Sequence, residues 1–400
     1  MNDEQALPAM RPVDTIPFRN QEDETYVALR DMAQISRHPI AVSIPGYFVA
    51  TQLDGIRTVA DVQAGFLEQF GQRMPADQIR KLIEALDDAL LLQNDRFEAA
   101  YAKCRDEYLA SAARDNRDRW ASAAELREQI ERMHASGTVS NTNGELRGII
   151  APHLDYARGS PCYADAYATL AASEPAERFV ILATNHFGRS QSVVATGKDF
   201  LTPLGRAATD RELIGRIEGR LGRSICVHEF DHNLEHSVEL QVHNLQVCCA
   251  ERPFEIVPVL CPDPCAPADG AENDGPELGA FADALRAELA NDGRKTILIA
   301  GADLSHVGQH FGDPDPTTPA FLKRVREHDR RLLGLLERRE EDRFVEVLRA
   351  AMNPTRICSV GCIYALLRAL PDARCNVVNY HQAVNMETET HVTCTAAIVA

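Results

Sequence analysis

The sequence predicts an α/β protein, a mainly parallel sheet flanked by helices, behind a small helix-rich N-terminal module. Three observations carry this. The chain has 400 residues, more than one hydrophobic core usually serves, so two units are expected. From Leu146 onward, apolar runs ending in polar loops alternate with helical stretches. Those runs are almost unbroken in Ile, Val, Leu and Ala, as strands covered on both faces require.

In chain order, residues 1–23 form a slightly acidic, Pro-bearing tail. The module at 24–95 opens on an expected extended segment, Phe48-Val49-Ala50-Thr51-Gln52-Leu53, followed by a turn at Asp54-Gly55 and two amphipathic helices. The second, at 76–92, sets Ile79, Leu82, Ile83, Leu86, Leu90 and Leu91 near one face. Residues 96–145, dense in Arg, Glu, Asp and Ala, read as a helical connector. In the large domain, 146–400, strands are expected at 148–151, 179–183, 256–260, 296–300, 376–379 and 395–399. Helices are expected at 163–172, 210–221, 235–249, 277–290, 320–338, 342–352 and 359–370.

A formal net charge of −17 argues against a nucleic-acid partner, whose phosphates are bound through Lys and Arg. No apolar stretch is long enough to span a bilayer, and the N-terminus lacks the basic start and apolar run of a signal peptide. The expectation is a cytoplasmic protein with no membrane association. Its eleven cysteines then read as reduced thiols. Cys248, Cys249, Cys261 and Cys265 cluster along the chain without zinc-ribbon spacing and are expected to be structural.

Ligands in open α/β sheets bind beyond the carboxyl ends of the strands, and here those ends are rich in metal-competent residues. The first strand runs into Pro152-His153, the second into Asn185-His186, and the fourth into Asp303-Leu304-Ser305-His306. Cys358 precedes an expected helix, where the dipole and free N–H groups favour a thiolate. Neighbouring Cys362 is expected in the core.

The segments Ile150-Ala151-Pro152-His153, Asn185-His186, Leu201-Thr202-Pro203-Leu204-Gly205, Glu235-His236-Ser237-Val238-Glu239, Asp303-Leu304-Ser305-His306 and Ile357-Cys358 occur in an order and spacing that resemble the Memo family. The resemblance covers about Leu146 to Ala400. It implies a fold related to class III extradiol dioxygenases and a metal, iron or copper, on His153, His186 and Cys358. It also implies that Asp303, His306, Glu235 and His236 line the pocket. Two departures stand out: Leu154-Asp155-Tyr156 replaces the usual Ala-Gly-Tyr, which brings Asp155 toward the mouth, and Ser359 stands where Gly is usual. The 24–95 module resembles the PqqD-like winged-helix domains that hold leader peptides for radical-SAM enzymes. Members of the AmmeMemoRadiSam gene set, encoded beside radical-SAM and AMMECR-type proteins, fit that pairing.

Two imidazoles and a thiolate suit iron, copper or zinc over magnesium or calcium. The leading expectation is an iron-dependent oxygenase or oxidoreductase acting on a peptide or protein. A non-catalytic metal- or partner-binding scaffold is the alternative. A third reading, zinc metallopeptidase, rests on His228-Glu229-Phe230-Asp231-His232, which satisfies His-Glu-x-x-His but follows a β-leaning run in place of an amphipathic helix.

Overall fold

The computed structural model describes residues 4–32, 34–36, 39–120, 122–142, 144–250, 252–266 and 275–400. Positions 1–3 of the expected tail, and 121 and 143 of the expected connector, lie outside them. The chain divides into two compact units, Met1–Ser111 and Ala112–Ala400.

In the first unit, β1 (Val13–Arg19), β2 (Thr25–Asp31) and β3 (Ile40–Ser43) form an antiparallel sheet in that order. Helices α1 (Ile44–Thr51), α2 (Val59–Phe70), α3 (Ala76–Asp88) and α4 (Asp95–Ala110) follow. The expected extended segment at 48–53 is corrected here: residues 48–51 close α1. Ser43 caps that helix by accepting from the Gly46 N–H at 3.3 Å, Pro45 sits in its first turn, and Val49 and Ala50 are buried. The β-leaning Phe-Val-Ala-Thr run yields to a strong start signal and to burial. Thr58 and Asp61 form a capping box on α2, and Gly71 closes it in the left-handed conformation. Leu29, Val49, Val62, Phe66, Ile79, Ile83 and Leu86 share one core.

The second unit opens with β4 (Ala113–Asp115) and α5 (Ala123–Ala135), so the stretch expected as a connector is shared between the units. Then come β5 (Gly148–Ala151), α6 (Tyr156–Ala172), β6 (Arg178–Thr184), β7 (Val194–Ala195), β8 (Asp199–Thr202), β9 (Gly205–Thr209), α7 (Arg211–Leu221) and α8 (His236–Cys248). The chain continues through β10 (Glu255–Cys261), α9 (Leu278–Asn291), β11 (Thr296–Gly301), β12 (Asp303–Val307), α10 (Pro319–Glu337), α11 (Glu341–Ala350), α12 (Val360–Ala369), β13 (Cys375–Asn385) and β14 (Thr390–Val399). Among the described residues these make a mixed, mostly parallel sheet of eleven strands with a main path β12-β14-β5-β11-β6-β10-β9-β8-β4. Its centre, β5-β11-β6-β10, is entirely parallel. β14 pairs antiparallel with β5, β12 and β13.

Side chains alternate across this centre with period two. Phe179, Ile181 and Ala183 of β6 enter the core under α5, α6 and α8, while Val180 and Leu182 enter the core under α7, α9 and α12. The helices expected in this unit recur with ends shifted by a residue or two, except that α6 starts at Tyr156 and runs through Pro161; in the first unit, α3 ends at Asp88, short of the expected 92, with Leu90 in the left-handed region. Asp155 caps α6 by accepting from the Arg158 N–H at 3.0 Å. Asp155 also pairs with Arg158. Its carboxylate is therefore engaged at the helix start.

Candidate metal centre

Three neighbouring strands deliver residues to one rim, His153 after β5, Asp303 after β11 and His186 after β6. Cys358 comes from the loop before α12. The ligand atoms of His153, His186 and Cys358 lie within 4.8 Å of one another. Local structure explains each position.

His153 is pinned from both ends. Its N–H donates to Asp303 Oδ1 at 3.2 Å, and its Nδ1–H donates to the Gly301 carbonyl at 2.9 Å. Because a carbonyl only accepts, Nδ1 carries the proton, and Nε2 is left facing Cys358 Sγ at 3.3 Å and Asp303 Oδ2 at 3.5 Å. His186 lies within a turn braced by Asn185, whose Oδ1 accepts from the Gly188 N–H at 2.9 Å and whose amide donates to Asp231 at 2.9 Å. Glu235 then holds His186 twice, accepting from its backbone N–H at 2.7 Å and from its Nδ1 at 3.0 Å.

The Cys358 loop is backbone-strained. Met352, Asn353 and Arg356 all adopt left-handed φ, at 58°, 44° and 55°, a region that costs non-glycine residues energy. Asn353 offsets that cost by accepting from the Ile357 N–H at 2.9 Å and donating to the Ile357 carbonyl at 2.9 Å. Arg356 donates to the His306 carbonyl at 3.0 Å. Beyond the loop, α12 lies so close to β10 that a Cβ on Gly361 would stand 2.1 Å from the Pro262 oxygen. Only glycine permits that approach.

Charges here are strongly coupled. Burial disfavours a charged His153, but the Asp303 carboxylate and the Cys358 sulfur outweigh it and lift the imidazole to about 9. Burial likewise raises the Cys358 thiol, yet His153 and His306 pull it well below the ordinary thiol range. Glu235, wholly buried, stays ionised against burial because His186 and the Ser237 N–H at 2.9 Å stabilise it. His186 is raised by Glu235 and Cys358 against burial. The pattern is an imidazole-thiolate set drawn together by opposite charge.

The remaining expected residues fall at the same rim. His236 stacks on His186 with ring centroids 5.1 Å apart and meets His153 edge-on at 5.9 Å. Its pKa is pushed down by burial and by the two neighbouring imidazoles, with Glu235 opposing. His306 lies to the side, its Nδ1 on the Leu304 carbonyl at 3.0 Å and its ring edge-on to Phe311. Cys362 is buried in the core as expected, near Thr184 Oγ1 at 3.5 Å.

Two residues went unassigned on sequence. Ser359 is fully buried, and its hydroxyl accepts from the Asp303 N–H at 3.0 Å and approaches Thr184 Oγ1 at 3.2 Å and Cys358 Sγ at 3.3 Å. Its departure from glycine was the available signal. Arg114 donates to the carbonyls of His232 and Glu235, both at 2.7 Å, and pairs with Glu239 at 2.7 Å. It fixes the segment that carries Glu235.

The His-Glu-x-x-His segment takes a different role. Residues Glu229–His232 form one 3-10 turn. His232 Nε2 bonds the Val194 carbonyl at 3.0 Å, and burial depresses its pKa to about 3. Glu229 accepts from Thr196 Oγ1 at 2.7 Å. Among the described residues, neither cluster able to hold a metal includes His228, Glu229 or His232, so the zinc-peptidase geometry is not formed. No helix among the described residues is long and apolar enough to cross a membrane.

Comparison with known proteins is consistent in its outcome. Residues 120–399 match the family described as Memo-like protein. A MEMO1 family protein of Aquifex aeolicus is 25% identical over 332 residues, covering 81% of this chain and 83% of that protein. A MEMO1 family protein of Thermus thermophilus is 29% identical over 329 residues, covering 80% of this chain and 93% of its own. One from Methanosarcina mazei is 32% identical over 163 residues, 40% of this chain and 55% of its own. The two longer alignments each cover more of the chain than Ala112–Ala400, so the likeness reaches into the first unit.

Proposed function

From the premise that this chain belongs to the Memo-like protein family, we propose that His153, His186 and Cys358 hold a borderline-to-soft metal, iron foremost with copper and zinc as alternatives. The site would serve oxygenase or oxidoreductase chemistry on a peptide or protein. One observation carries this reading: three ligand atoms from three separate segments converge within 4.8 Å, each imidazole already anchored through its other nitrogen. Such anchoring by a carbonyl or carboxylate is characteristic of metal-binding histidines. Two imidazoles and one thiolate are a donor set suited to these metals. Once bound, a redox-active metal supplies Lewis acidity and electron transfer at open coordination positions.

The chain's own groups have distinct tasks. The Gly301 carbonyl and Glu235 fix the tautomers of His153 and His186, so that Nε2 of each faces the centre. Asp303, buried and 3.5 Å from His153 Nε2, adds negative charge beside the ligands. His236 and His306 are the imidazoles able to take or give a proton at the rim. The dioxygenase-like fold of the family supports this assignment.

The finer reading joins this centre to the first unit as a PqqD-like winged helix presenting a leader peptide, within an AmmeMemoRadiSam system containing radical-SAM and AMMECR-type proteins. Its support is the helix order of that unit, with a three-stranded sheet beside three packed helices. Anaerobic purification followed by iron(II) titration tests the metal assignment. Wild type is expected to bind one iron per chain, and Cys358→Ser to bind at least about tenfold more weakly. Equal uptake by the two proteins contradicts it.

A further inference from the structure

At the opposite ends of the strands from the metal rim, α8 finishes in two adjacent cysteines. Cys248 Sγ and Cys249 Sγ lie 3.5 Å apart, and both residues are partly exposed. They line a cavity of about 340 Å³ whose apolar wall includes Leu170, Phe179, Val247 and Ile297, with Arg252 also at its edge. Phe179 and Ile297 stand near the starts of β6 and β11, whereas the metal-competent residues follow their ends.

We propose that Cys248 and Cys249 form a thiol–disulfide exchange site, with this cavity receiving one half of a low-molecular-weight disulfide. The two sulfurs are already near van der Waals contact, so bond formation needs only a small closure. Cys249 has left helical geometry, with φ −111° and ψ 22°, so a closure there disturbs at most the terminal turn of α8, which the Cys249 N–H completes on the Leu245 carbonyl at 2.8 Å. The α-carbons of adjacent residues are held about 3.8 Å apart by a trans peptide, below the usual disulfide range of about 4.4–6.8 Å. A disulfide here is therefore strained and readily reduced, the character of a reversible pair and not of a structural staple.

The two thiols differ. The hydrogen bond shared with Cys248 holds the Cys249 thiol below its ordinary range, burial opposing and the Arg252 charge assisting. Arg252 also offsets the carbonyl end of α8, its N–H donating to the Cys249 carbonyl at 3.0 Å. Cys248 is held protonated by the same shared hydrogen bond and by burial. Cys249, which follows the last helical residue of α8 and has Arg252 nearby, is assigned the attack, made in its deprotonated form. It forms a bond to one sulfur of RS–SR and expels RS⁻, leaving a mixed disulfide. Cys248 then gives its proton to the departing thiolate or to water, attacks the Cys249 sulfur and expels the second RS⁻. The two cysteines lose two electrons in all, RS–SR gains them, and two RSH molecules leave.

The test uses the full chain, reduced, exposed to oxidised glutathione and mapped by peptide mass spectrometry. The peptide holding Cys248 and Cys249 is expected to lose two hydrogens about tenfold faster than the mean modification rate of the other cysteines. Cys248→Ser is expected to accumulate a stable glutathione adduct on Cys249. Phenylarsine oxide, which bridges paired thiols, provides a second readout. Wild type and Cys358→Ser should each capture one equivalent at this peptide, and Cys248→Ser none. A pair that stays reduced while other cysteines react overturns the proposal, as does a wild type that captures no arsenical there.

Discussion

Glu235 does the most at the residue scale for a group that is not itself a proposed ligand in the three-residue set. One carboxylate fixes the backbone and ring of His186 and caps α8 through the Ser237 N–H. Glu235→Gln keeps the shape but removes the charge that orients and enriches the imidazole. Its metal affinity is expected to fall about 10- to 100-fold with little change in helical content, checked by competitive titration and circular dichroism; unchanged affinity would show that Glu235 is only a helix cap. On sequence, His153 and His186 stand out because each follows an apolar run, and Cys358 because it precedes an expected helix. Glu235 came from family resemblance, since nothing in its spacing reveals which His it meets. Ser359 was visible only as an oddity, because a serine's partners depend on how α12 docks beside β11 and β6.

Among elements, the junction of β4 and α8 ties the start of the second unit to the site. Arg114 and Glu239 are both nearly inaccessible, at 1% and 3% exposure of their side chains, and Trp120 Nε1 donates to the same carboxylate at 2.6 Å. Removing one member leaves an uncompensated buried charge, so Glu239→Gln should cost about 3 kcal/mol at neutral pH. Burial raises the Glu239 pKa, but Arg114, His243 and Trp120 outweigh it and hold it below 4.5. A depressed carboxylate stabilises the fold fully above its unfolded value and loses that contribution as pH falls through the folded one. The gap between wild type and Glu239→Gln should therefore narrow below about pH 4.5 in denaturant melts; a pH-independent gap would mean the ion pair is not its source. The long buried strands were legible because their apolar runs are nearly continuous. The helix at 44–51 was not, because its sequence leans toward β structure and only its cap and its packing decide. The short strands β7, β8 and β9 and the antiparallel sheet of the first unit also escaped, being brief or half exposed and carrying weak periodicity.

For the whole molecule, the sequence's shift in texture near Leu146 marked the α/β domain, while the unit itself begins at Ala112. The difference arises because β4 and α5 are recruited by long-range pairing, Ala113–Asp115 with Asp199–Leu201 and α5 against α6, which local composition does not announce. Every member of the proposed centre belongs to the second unit, so a chain of residues 112–400 should retain iron affinity within about threefold of the full protein, a difference of under 1 kcal/mol. A larger loss on removing the first unit would show that it helps to form the site. The central claim is that two imidazoles and one thiolate bind a single metal. X-ray absorption of the metal-loaded full chain tests this most directly: the account predicts one sulfur at about 2.3 Å with two imidazole nitrogens at about 2.0–2.1 Å if zinc is the probe. A first coordination sphere without sulfur, or one unchanged in Cys358→Ser, would contradict it.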